Sequence, residues 1–166
     1  MLLCRRSVHI PPFGTTHDSS RLQDPVVRMY LEFLEFVLPI FIILNRQIQS
    51  EPLQIHALRR TISDALRTIL DCYLKSRYLA SMPVEDVKSK NPLHFCELKE
   101  VYLGAKNSML ASQRNRPPAL LVEGFGLRCI NCYIESAQQI YSRFAFEDPA
   151  TKLLEMLDPR NVSGKK

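Results

Sequence analysis

Tryptophan is absent from this chain of 166 residues, glycine occurs only 5 times, and cysteine occurs 5 times, an odd number. An odd count fits free thiols in a reducing compartment better than a disulfide framework. No Gly-rich phosphate loop, Gly-x-Ser-x-Gly elbow or His-Glu-x-x-His helix occurs, so the common nucleotide, hydrolase and zinc-protease signatures are excluded. Long apolar runs are missing as well. The longest, Phe36 to Leu44, is nine residues, about half of the roughly 20 that a membrane span needs. The opening MLLCRRSVHIPPF holds no apolar run of signal-peptide length, so secretion is not expected, and the acceptor pattern at Asn161 to Ser163 is idle. Strand-period segments and internal repeats are also lacking.

What remains is the composition of one globular domain, 46% hydrophobic and 23% charged, in a chain too short for two independent cores. The net charge of +5, from 22 Lys and Arg against 17 Asp and Glu, tolerates a polyanion without specifying one. Residues 1–23 carry paired prolines and no periodicity, and read as a disordered arm. Asp24-Pro25 then makes an N-cap with proline at the first helical position. Val27, Tyr30, Leu31, Leu34, Leu38 and Phe41 follow at helical spacing. The helix is apolar all round in its middle, which predicts a central position, and Pro39 predicts a kink.

Ser50-Glu51-Pro52 breaks that helix, and the clearest amphipathic stripe in the chain begins at Leu53, through Ile55, Leu58, Ile62, Ala65, Leu66, Ile69, Cys72 and Tyr73. Arg60 with Asp64, and Arg67, Asp71 and Lys75, stand four apart on its exposed side. Residues 81–96 read as a linker, and 97–113 as a shorter helix through Leu98, Val101, Tyr102, Ala105, Met109 and Leu110. Residues 114–126, with two prolines and two glycines, read as a loop. A helix follows over Arg128 to Phe144, then a short one over Pro149 to Leu157, and residues 163–166 fray. The fold class expected is all-α: an irregular bundle of four to five helices over residues 24–162, with a disordered N-terminal arm.

The pair Cys129-x-x-Cys132 invites a metal or redox reading. On a helical wheel, however, the two thiols stand about 60° apart. Cys129 lies at the edge of the stripe Ile130, Ile134, Ala137, Tyr141 and Phe144, and Cys132 on the polar side. A structural zinc site takes four ligands, and no second pair exists. A redox pair needs its first thiol at a helix N-terminus, whereas this one is interior. His94-Phe95-Cys96 offers two soft ligands without partners, so neither metal nor cofactor is expected. The candidate nucleic-acid contacts are Arg59, Arg60, Arg67, Lys75 and Arg77. Asp64 and Asp71 sit among them and no aromatic residues interleave, so a solvated face is the better reading.

Three segments in order carry a resemblance: MYLEFLEFVLPIFIILNRQIQSEPLQIHALRRTI, LKEVYLGAKNSML, and RCINCYIESAQQIYSRFAFEDPATKLLEMLDPRNV. The telling features are Leu-Pro followed by an Asn, Gln-Ser-Glu-x-x-Gln-Ile-His, Tyr-Leu-Gly-Ala-Lys, and Tyr-Ile-Glu-x-x-x-Gln-Ile-Tyr-x-Arg-Phe ahead of Leu-Asp-Pro. Together they resemble the helical region of hAT-type transposase-related proteins, which belong to the ribonuclease H-like superfamily. The match covers most of residues 26–162. In that family the position of Cys132 is commonly aromatic, in keeping with a structural pair.

The resemblance implies a transposition ancestry, an all-helical insertion within a catalytic core, and nuclear residence; without it the cytoplasm is the default. The family's catalytic acids lie in flanking segments, its dimerisation segment lies beyond Leu-Asp-Pro, and its zinc-binding DNA finger lies ahead. No catalytic or metal residue carries over. The expectation is a catalytically inactive fragment with residual DNA or protein binding. The alternative is a helical module that docks a partner protein through an apolar groove.

Overall fold

The side chain of Asp24 opens the first helix: its Oδ1 accepts the N–H of Val26 at 2.8 Å, and Pro25, which has no N–H to satisfy, takes the first helical position. A computed structural model describes residues 24–49, 55–105, 107, 118–144, 146, 148, 149 and 153. Within them stand four α-helices: α1 (Pro25–Gln49), α2 (Ile55–Asp71), α3 (Ser76–Leu79) and α4 (Ala119–Arg143). Single 3-10 turns at Val84–Asp86, Pro92–His94 and Leu98–Glu100 join α3 to the later part of the chain. The only β feature among the described residues is an isolated antiparallel bridge between Leu74 and Phe95. The fold is all-α. The expected arm (residues 1–23), the fraying tail (163–166) and most of the helix expected over Pro149 to Leu157 lie outside the described residues.

Helices α1, α2 and α4 form the bundle. Residues 39–47 of α1 line one groove with residues 61–68 of α2, while Phe33 near the start of α1 meets, through Tyr133, the ring of Tyr73 just past the end of α2, so these two run antiparallel. Tyr73 at the end of α2 stacks on Tyr133 of α4, while Arg59 near its start reaches Phe146 just past the end of α4. This makes α4 antiparallel to α2 and gives an up-down-up order. Leu66, Ile69 and Leu70 of α2, Tyr73 in the turn after it, and Tyr133 and Ala137 of α4 are wholly buried. A ladder of rings crosses the core: Tyr30 to Phe125 at 4.9 Å, Phe33 to Tyr133 at 5.4 Å, Tyr133 to Tyr73 at 6.0 Å and Tyr73 to Phe95 at 5.4 Å. Most of these contacts are edge-to-face, the arrangement that the ring quadrupole favours.

Segment 80–104, expected partly as a linker, is a strap laced to the bundle by tyrosine hydroxyls. Tyr73 donates to Ser89 O at 2.9 Å, Tyr141 to Val84 O at 2.6 Å and Tyr133 to Tyr102 O at 2.6 Å, while the hydroxyl of Tyr78 accepts the N–H of Lys88 at 3.0 Å. Such bonds answer the backbone groups that a non-helical segment would otherwise leave orphaned. The strap contributes Val84, Val87 and Val101 to the core.

Three sequence expectations are corrected. The continuous helix expected from Glu97 is instead a capped 3-10 turn: the side chains of Glu97 and Glu100 bond reciprocally to each other's backbone, and extended residues lead to Gly104 at φ +94°. Glycine is needed there on two counts, since a Cβ would also come within 3.1 Å of Phe36 Cβ on α1. Ala105 and Asn107 are helical, and residues 108–113 are not described. The loop expected over residues 114–126 is helical from Ala119 onward. Pro118 stands just before its first turn, and Gly126 admits Leu98, whose Cδ1 would lie 2.9 Å from an added Cβ.

The third correction concerns α1. It continues through Pro39, which lies on the exposed side, and it is not central. Met29, Phe33, Val37 and Leu44 are buried, while Leu31, Leu34 and Leu38, placed by spacing on the packed stripe, face outward. With apolar residues on every side, spacing cannot choose the inner face; the ring ladder through Tyr30 and Phe33 does.

Candidate interaction face

The five cations singled out in the sequence do not form one patch. Arg59 turns inward: its guanidinium donates to Phe146 O at 2.7 Å, pairs with Glu85 at 3.3 Å and lies over the Phe146 ring. Ser63 donates to the same Glu85 oxygen, which makes this a tie between α2, the strap and the residues after α4. Lys75 donates its Nζ to Leu93 O at 2.9 Å, holding the 3-10 turn at Pro92–His94. Arg60, Arg67 and Arg77 are exposed, as are Asp64 and Asp71 beside them on α2. Two of the five cations therefore hold the fold together, and the rest share their surface with carboxylates.

The cysteines separate in the same way. Cys129 is buried and Cys132 exposed, both inside α4, so the thiols are not presented together; Cys129 lies deeper than its place at the stripe edge suggested. Burial pushes the Cys129 thiol up to about 12 and that of Cys72 up to about 11, and raises Cys96, so all three stay protonated and inert at neutral pH. His94 stacks its ring on Tyr78 with centroids 3.6 Å apart. Among the described residues no three of His, Cys, Asp and Glu gather as metal ligands.

The feature that sequence reasoning missed is the outer face of α1. Leu31, Leu34, Leu38 and Ile42 are 46%, 40%, 48% and 53% exposed, and their 3-4-4 spacing lines them up along the helix. Monomers rarely expose large apolar side chains in a contiguous row. Asn45 continues the row by the same step of seven that links Leu31 to Leu38. A separate groove of about 350 Å³ lies between α1 and α2, lined by Pro39, Ile40, Ile43 and Leu44 of the one and Thr61, Asp64, Ala65 and Thr68 of the other, about 100° or more around α1 from Leu38. The signal was present in the sequence as a second helical stripe, obscured because the first was equally apolar.

Compared with protein-family models, with curated proteins and with solved structures, the chain matches none. Among the described residues no helix is long and apolar enough to cross a membrane.

Proposed function

We propose that this chain is a binding module without catalysis of its own, a transposase-derived helical domain that docks a protein partner on the outer face of α1. The observation that carries the reading is the exposed row of Leu31, Leu34, Leu38 and Ile42 on a helix whose other side is fully used by the core. Helix-in-groove recognition uses anchors at this spacing. The hAT-type ancestry and nuclear residence rest on the motif resemblance, in a chain whose fold is all-helical as that region would be. DNA binding is the weaker reading, because Arg59 and Lys75 bond within the fold and Asp64 and Asp71 offset the remaining cations of α2.

Titration with a fluorescent amphipathic helical peptide, and separately with a labelled DNA duplex, tests this choice. Peptide binding that persists at high salt and is lost in Leu38→Glu is the expected outcome. DNA binding that falls steeply with salt, with a slope flattened by replacing Arg60, Arg67 and Arg77, would favour the nucleic-acid reading instead.

A further inference from the structure

The turn Lys88-Ser89-Lys90-Asn91 of the strap is anchored to the bundle by its middle and carries its cations outside. Ser89 is 1% exposed: its carbonyl accepts the hydroxyl of Tyr73 at 2.9 Å and its Oγ accepts an amide proton of Gln138 at 2.6 Å. The N–H of Asn91 returns to Lys88 O at 3.1 Å and closes the turn. Lys88 and Lys90, on either side of the buried serine, are both exposed. They line one open groove of about 490 Å³ together with Ser89, Asn91, Gln138 and Tyr141. A volume of this order takes a small organic molecule.

Positive charge and donors are in excess there. Among the described residues, neither lysine meets a carboxylate within ion-pair distance. The carboxylate in the lining, Glu85, already takes Arg59 and Ser63 on one oxygen. Asp86 and Glu135, the carboxylates nearest in sequence to lining residues of the strap and of α4, are exposed and do not line the groove. Asn91 spends its side-chain oxygen on the N–H of Leu93, which leaves its amide protons unbonded. Ser89, whose Oγ accepts from Gln138, has its own proton without an acceptor among the described residues. Two ammonium groups, an amide and a hydroxyl thus share one groove, and its acid is tied off. A phosphate dianion answers such a set better than a single carboxylate does, because it brings more charge and more acceptor oxygens, and lysine binds it as a point charge.

We propose that this groove holds the phosphoryl group of a small phosphorylated molecule, with Lys88 and Lys90 supplying the charge and Asn91 and Ser89 the neutral hydrogen bonds. The site is independent of the docking face on α1. Both cations lie in solvent and no arginine fork is present, so a dissociation constant on the order of 1 mM at low ionic strength is expected.

Nitrogen-15 correlated NMR of the full chain, titrated with sodium phosphate and separately with adenosine monophosphate against sodium chloride of equal ionic strength, tests the proposal. The expected result is a saturable shift of the backbone amides of residues 88–91 and of the side-chain amides of Asn91 and Gln138. Lys88→Ala with Lys90→Ala should weaken binding tenfold or more while the helical circular dichroism signal stays unchanged, because both side chains are exposed. Arg46→Ala with Arg67→Ala removes the same charge from exposed positions on α1 and α2 and should leave binding as it was. Tighter binding of the nucleotide than of phosphate would support a phosphate monoester whose organic part also lies in the groove, and equal binding would support free phosphate as the occupant. Absence of a saturable shift up to about 20 mM of either probe would overturn the proposal. So would equal weakening in the two double variants, which would mean attraction by net charge alone, or saturable shifts confined to other residues.

Discussion

Helices α1 and α2 differ in a way that runs against their composition. The middle of α1 is the most apolar stretch in the chain, yet five large aliphatic side chains on the helix, Leu31, Leu34, Leu38, Ile42 and Ile43, face outward. Helix α2 is far more polar overall, yet Leu66, Ile69 and Leu70 at its inner side are completely buried. Total hydrophobicity therefore does not decide which helix is central. A helix buries only the sector its neighbours reach, and α2 has α1 on one side and α4 on the other. The surplus apolar surface on α1 is the basis of the docking face proposed above.

The comparison can be broken most decisively in the core. Leu66→Ala should cost about 3 kcal/mol, since it opens a cavity where no side chain can collapse inward, whereas Leu38→Ala on α1 should shift stability by no more than about 0.5 kcal/mol. Urea titrations followed by circular dichroism would show this, and equal losses at the two positions would mean that α1 is as enclosed as α2.

Next in size is the strap. Tyr133→Phe removes the donor to Tyr102 O and leaves that carbonyl unpaired beside the core, at a cost of about 1 to 2 kcal/mol. Tyr30→Phe, on α1, loses only an exposed contact from Arg128 and should be near neutral. Arg59→Ala should fall in the same range as Tyr133→Phe, because it unties Phe146 O and Glu85 together, while Arg60→Ala on the exposed side of α2 should change stability by less than about 0.5 kcal/mol.

Alkaline pH probes the same burial. Cys72 has its pKa raised by desolvation from 9.0 to about 11, and desolvation raises Tyr73, Tyr133 and Tyr141 further still. A raised pKa in the folded state means that folding holds the proton more tightly. Stability is therefore complete below the unfolded values and is lost as pH climbs through the folded ones. Between pH 9 and about 11 the Cys72 contribution alone should fall by on the order of 2 kcal/mol, and the tyrosines extend the loss upward from about pH 10. Replacing Cys72 with Ala should make that decline shallower without abolishing it, since Cys129, raised by burial from 9.0 to about 12, loses its contribution from the same pH upward. The smallest effect is chemical: maleimide at neutral pH should label Cys132 promptly, while Cys72 and Cys129 should react only after denaturant is added.

Where one side of a helix is clearly polar, spacing identified the core correctly. The stripe Ile62, Leu66, Ile69, Cys72 and Tyr73 is buried as expected, and Cys129 is buried while Cys132 is exposed, on different faces of α4 as the wheel placed them. Spacing failed on α1, where the wheel offered two apolar faces and Leu31, Leu34 and Leu38 were assigned to the wrong one. It failed again at residues 119–126, where Gly124 and Gly126 imitate a loop although Gly126 is there to admit Leu98. The candidate cations were legible as a cluster, but not that Arg59 is tied to residues distant in sequence, because neither Glu85 nor Phe146 advertises its partner.

By itself, then, the sequence determined that the protein is helical and where α1 begins, because caps, breakers and a period of 3.6 act within a few residues of one another. Only the tertiary structure decided which face of α1 is spent in the core, which arginine becomes a tie, and that tyrosine hydroxyls bind a strap across the bundle. Those outcomes depend on pairs of groups far apart along the chain, and a local pattern holds no record of which distant group will arrive.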